Sequence, residues 1–153
     1  MLETPHVLLG AAIATKVGNP YMAIPLALLS HFVLDKVPHW NPHISSETKK
    51  FGKPTKKSTT IIAVDASIAL IGGTLIAYNT LPNTSLAITI LACCFAAALP
   101  DVIEIPYFYF KKRDGFLKKW IPSQKSWQTD TTPFWGLLTQ VITVGASLWW
   151  IFN

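Results

Sequence analysis

The chain has 153 residues, half of them apolar and only 14% charged, with a mean hydropathy of +0.36. A soluble domain carries about a quarter of its residues as Asp, Glu, Lys or Arg, so the composition argues against an ordinary soluble domain. The net charge of +5 raises the question of a nucleic-acid partner, which the placement of the basic residues answers below.

Residues 7–15 and 21–34 are apolar stretches separated by a polar turn at 16–20. Pro5 and Pro20 suit first helical turns, whereas Pro25 would kink the second stretch. The pattern predicts a short helical hairpin that dips into or just crosses a bilayer. Glu3 and His6 stand where a signal peptide has its basic region, so the hairpin is expected to be retained. Residues 59–78 hold Asp65 as the one ionisable group before the terminal tyrosine, and residues 81–100 hold none. Each run is about 20 residues, or roughly 30 Å of helix, which matches the hydrocarbon thickness of a membrane. Cys93 and Cys94 are adjacent within the second run and point in different directions, so they read as packing residues. Residues 134–152 are equally free of charge and carry Trp149 and Trp150, suited to an interface.

The expected fold is all-α: an integral membrane helical bundle forming a single domain over residues 1–153. Three full transmembrane helices near 60–80, 84–105 and 132–152 follow the short hairpin. Twelve of the thirteen lysines and arginines lie in or beside residues 36–57 and 111–125, Lys16 being the exception. Two spans separate those segments, so both fall on one side. The positive-inside rule makes that side, and the N-terminus with it, cytoplasmic. The expected location is the inner membrane. Lys49, Lys50, Lys53, Lys56 and Lys57 are then headgroup neighbours, membrane lipid is the expected partner, and nucleic acid is not.

Ionisable groups in or beside apolar spans are costly and are kept mainly where they act. His6 opens the first helix; His31 and Asp35 close the second, with His39 and His43 just beyond. Asp65 lies about five residues into the next helix, roughly 8 Å down. Asp101 and Glu104 end the fourth. His31 with Asp35, four apart, and Asp101 with Glu104, three apart, each share a helical face. Imidazoles and carboxylates delivered to one depth suit zinc or another divalent metal. The same residues also admit plainer roles as helix caps or hydrogen-bonded pairs. No Gly-x-Ser-x-Gly elbow, phosphate-binding glycine loop or dinucleotide fingerprint is present.

Thr4-Pro5-His6 followed by Gly10, the run Ser30-His31-Phe32-Val33-Leu34-Asp35 leading to Pro38-His39-Trp40, and Leu99-Pro100-Asp101 give the chain a family likeness. It resembles the membrane-bound metal-dependent hydrolases of the LexA-binding inner-membrane type and, more loosely, zinc-dependent phospholipase C-like proteins. The resemblance implies His6, His31, Asp35 and Asp101 as metal ligands. The family's His-Arg and Thr-His-Ser segment has no counterpart; the corresponding region reads Gln124-Lys125-Ser126-Trp127-Gln128-Thr129-Asp130. The expected function is hydrolysis of an ester or phosphoester, a lipid among the candidates, at the cytoplasmic face. A divalent metal, zinc, is the expected cofactor, and Asp65 or Glu104 the expected general base. The alternative is a non-enzymatic protein that binds or passes an ion or proton through the same cluster.

Overall fold

In the computed structural model, which describes residues 1–153, the chain forms α1 (Glu3–Val17), α2 (Pro20–Leu34), α3 (Ile44–Phe51), α4 (Lys56–Tyr78), α5 (Thr84–Val102), α6 (Ile105–Tyr109), α7 (Gly115–Trp127) and α8 (Pro133–Phe152). There is no β-sheet; a single parallel bridge joins His39 to Asp130. Three helical stretches, Lys56–Tyr78, Thr84–Tyr109 and Pro133–Phe152, are long and apolar enough to cross a membrane, and membrane association follows.

Local chemistry sets the helix ends. Gly18, at φ 68°, turns the chain out of α1. Asn19 then caps α2 by accepting from the Tyr21 N–H at 3.0 Å, with Pro20 at the first helical position. Glu47 of α3 accepts from the Thr55 N–H at 2.8 Å and from Ser58 Oγ at 2.7 Å, while Thr55 caps α4. That brace starts α4 at Lys56, four residues before the expected 60. The basic connections carry helices of their own: α3 in the first, α6 and α7 in and around the second.

The hairpin is not an appendage to the spans. α1 is the central helix, packed against α2, α4, α5 and α8. Small side chains make this possible. Ala11, Ala12 and Ala14 of α1 and Cys93 and Ala97 of α5 are buried at their contact. A Cβ on Gly10 would lie 2.7 Å from the Cys93 carbonyl oxygen and 3.0 Å from the Ala97 Cβ. Close backbone approach through small residues is how helices gain packing contacts where lipid offers no hydrophobic drive. Both cysteines are free thiols in this packing, and Cys94 Sγ lies 3.5 Å from the Val7 carbonyl. Outward faces stay apolar: Leu70, Val141, Ile142 and Phe134 are exposed, as lipid-facing residues must be.

Candidate metal centre

The ends of α1, α2 and α5 meet beneath α7. His6 comes from the first turn of α1, His31 from the last turn of α2, Asp35 from its C-cap, and Asp101 from the end of α5. His6, His31, Asp35 and His39 are completely buried, while the Asp101 side chain keeps 21% exposure. Asp35 is the hub. His31 Nε2 lies 3.4 Å from its Oδ2, while His6 Nε2 lies 3.5 Å and His39 Nε2 3.9 Å from its Oδ1. His31 Nε2 is also 3.7 Å from Asp101 Oδ1, and the His6 and His31 rings stack with centroids 4.0 Å apart. The α-amino group of Met1 lies on Asp35, 3.3 Å from His6 Nε2, and so places a cation at the centre.

Carbonyl groups fix two of the imidazoles. His31 Nδ1 lies 2.7 Å from the Ala97 carbonyl and His39 Nδ1 lies 2.8 Å from the Val37 carbonyl. A carbonyl only accepts, so each Nδ1 carries the proton there and each Nε2 faces inward. A backbone acceptor behind the imidazole is the arrangement that orients metal-binding histidines. Burial, and next the Met1 ammonium, hold His39 below its ordinary range, in the neutral form.

The segment 124–130 reaches the site. Gln124 Nε2 donates to Asp101 Oδ1 at 2.7 Å and lies 3.3 Å from His31 Nε2; Gln128 Nε2 is 3.5 Å from Asp35 Oδ2. The chain beyond α7 is pinned alongside: the Thr129 N–H donates to the Asp35 carbonyl, the His39 N–H to that of Thr129, and the Thr131 N–H to that of His39, each at 3.0 Å. α8 closes the other flank. Gly136 is packed so tightly that a Cβ would fall 2.3 Å from the Trp40 nitrogen. Gln140 accepts from the Leu2 N–H at 2.8 Å and donates to the Trp40 carbonyl at 3.0 Å. Sequence reasoning missed Gln124, Gln128 and Gln140. Ile121 and Gln124, three residues apart, are the buried residues of α7, and nothing in its mixed sequence singles out Gln124.

Asp65 has a different employment from the expected one. It accepts from the Glu3 N–H at 2.5 Å, the Thr4 N–H at 3.4 Å and the Thr4 hydroxyl at 2.6 Å. It is a cap for α1 supplied by α4, which answers the unpaired N–H groups of a helix that begins inside the bundle. With both carboxylate oxygens so engaged, it is not assigned the base role expected of it. Glu104 stands at the start of α6 and, with Asp101, lines a cavity of about 450 Å³. Glu3 lies beside Asp101 on the same wall, a carboxylate that sequence reading had taken only as part of the N-terminal flank. His43, at the cap of α3, also lines this cavity rather than the histidine cluster.

The donor set passes a chemical test for a cation. Nε2 of His39, Nδ1 of His6, Oε1 of Gln124 and Oε2 of Glu3 are buried without a hydrogen-bond partner, a concentration unusual in a folded interior. His6, His31 and Asp101 each offer one ligand atom, all within 4.8 Å of one another, so this group can hold a metal ion. No family profile, curated protein or solved structure matches the chain.

Proposed function

We propose that the protein is a membrane-bound metal-dependent hydrolase acting on an ester or phosphoester, a lipid by preference, at the cytoplasmic face. The observation that carries this reading is the convergence of His6, His31 and Asp101 within 4.8 Å, with Asp35 buried behind them. Ligand atoms about 2.0–2.1 Å from a tetrahedral zinc lie about 3.3 Å apart, close to the 3.4–3.7 Å separations of the His and Asp atoms here. Neutral imidazoles with carboxylates are the donor mixture that zinc accepts. His6, His31, Asp35 and Asp101 are the residues that would hold it, and the Met1 amino group would have to leave Asp35. When bound, such an ion supplies a Lewis acid and brings the pKa of water towards ~7.

The remaining roles fall to the chain itself. Gln124 orients Asp101, Gln128 supports Asp35, and the Ala97 and Val37 carbonyls keep His31 and His39 in the ligating tautomer. Glu104 and Glu3, on the cavity wall next to Asp101, are placed to take a proton from water and return it to the departing alcohol. Water adds to the carbonyl carbon or phosphorus, the ester bond breaks, and the proton removed from water ends on the leaving oxygen. Lysine-rich segments on the same side favour an anionic headgroup. The cytoplasmic orientation follows from those segments by the positive-inside rule.

One observation favours a second reading, in which the cluster binds or passes an ion or proton without chemistry: His6 Nδ1 and His39 Nε2 are buried without a hydrogen-bond partner. Elemental analysis of detergent-purified protein before and after chelation, with turnover of ester and phosphoester lipids, separates the two. Metal in stoichiometric amount, lost in His31→Ala and kept in Lys56→Ala, together with chelator-sensitive turnover, is the expected result. Metal without turnover supports the second reading, and protein free of metal after expression in metal-replete medium overturns both metal-binding versions.

A further inference from the structure

The cavity beside Asp101 is much larger than a hydrolytic water requires, and its shape is two-part. At one end are Glu3, Asp65, Asp101, Glu104 and Lys125; from there it runs between α4 and α5, past Ala66, Leu70, Leu91, Phe95 and Ala98. Its floor is Val7 of α1, with Gly73 and Cys94 beside it; a Cβ on Gly73 would lie 3.1 Å from Cys94 Sγ and 3.2 Å from the Val7 side chain. α4 and α5 both pack on α1, and the trough lies between them above it. Its apolar rim is open to the lipid side: Leu70 is 71%, Phe95 59% and Leu91 45% exposed.

We propose that this trough binds the acyl chain of a membrane phospholipid, entering sideways from the bilayer and placing the headgroup ester at Asp101. The proposal rests on the hydrolase reading and supplies its substrate class. Three features select this occupant. Polar and apolar surface are continuous within one cavity, which suits an amphiphile rather than a free headgroup. Leu91 lies ten residues before Asp101, about 15 Å along α5, enough for an extended chain to lie along the trough. The volume, about 450 Å³, falls among small-molecule pockets.

The test is photo-crosslinking of the detergent-purified full chain with phosphatidylglycerol carrying a diazirine midway along one acyl chain, followed by peptide mapping. Adducts should concentrate on Ala66, Leu70, Phe95 and Ala98 and be displaced by unlabelled phosphatidylglycerol. Ala66→Trp, which fills the trough, should lower those adducts roughly ten-fold, whereas Val141→Trp on the outer face of α8 should not. Adducts spread evenly over α8 positions such as Val141 and Ile142, or displaced only by a second copy of the chain, overturn the proposal. The wild-type map stands alone if Ala66→Trp fails to fold. Metal content measured on the same preparation separates the two ideas. Trough adducts on metal-free protein retain the lipid site and defeat the hydrolase reading, whereas metal with scattered adducts does the reverse.

Discussion

Replacing Asp65 by alanine tests whether this carboxylate caps α1 or belongs to the metal group. Its shortest contacts are with the Glu3 N–H and the Thr4 hydroxyl, at 2.5 and 2.6 Å, with the Thr4 N–H at 3.4 Å. A hydrogen bond to a charged group contributes about 1.5–3 kcal/mol and a helix cap about 1 kcal/mol, and these estimates overlap because the contacts are the same ones. A net loss of about 3 kcal/mol is expected, because Asp65→Ala leaves the Glu3 N–H without its acceptor inside the bundle. At this chain length that corresponds to a fall in Tm of about 6–12 °C. Asp65→Asn keeps an acceptor and should lose about half as much. Thermal unfolding in detergent reads the stability, and elemental analysis of the still-folded fraction reads the metal. A variant with wild-type Tm that has lost its metal would refute the capping argument and return Asp65 to the site.

Gly10→Ala should cost about 1–3 kcal/mol through overpacking, since its Cβ would meet the Cys93 carbonyl at 2.7 Å, and Gly10→Leu should yield no monodisperse protein by size-exclusion chromatography. His39 sits below its ordinary range because burial, and next the Met1 ammonium, disfavour the charged ring. The unfolded chain therefore takes up the proton first. The stability this residue contributes is present above about pH 6.5 and is lost as pH falls below it, so Tm should drop from pH 7.5 to 5.5 and His39→Asn should flatten that slope. Ser58→Cys and Ser123→Cys should label from the same side of the membrane and Ser85→Cys from the other. Cys93 and Cys94, at 0% and 8% exposure, stay silent in this assay, and labelling of the first two from outside intact cells would reverse the orientation.

Much of the bundle was legible because a bilayer measures length. An uncharged run of about 20 residues has few soluble interpretations, and three such runs emerge as α4, α5 and α8. Position along each helix was legible for the same reason. His6, His31, Asp35 and Asp101 each lie at the end of an apolar stretch on the side of the basic segments, and the structure brings these four together. The four-residue spacing of His31 and Asp35 placed them on one helical face before any packing was known.

What the sequence left open is rotation about each helix and the identity of its neighbour. Asp65 reads as an intramembrane carboxylate like the others. It turns towards the N–H groups of Glu3 and Thr4 because α1 begins inside the bundle, and only the docking of α1 against α4 creates that demand. Nor did the short first helix announce itself as the centre. That position depends on Gly10 meeting Cys93 and Ala97, a contact between residues more than eighty apart in the chain. Gln124 and Gln128 are uncharged and unremarkable in the sequence, and become partners of Asp101 and Asp35 only when α7 folds back over the ends of α2 and α5. A sequence fixes position along a helix through its 1.5 Å rise, whereas the choice of facing partner is made by side-chain packing between segments.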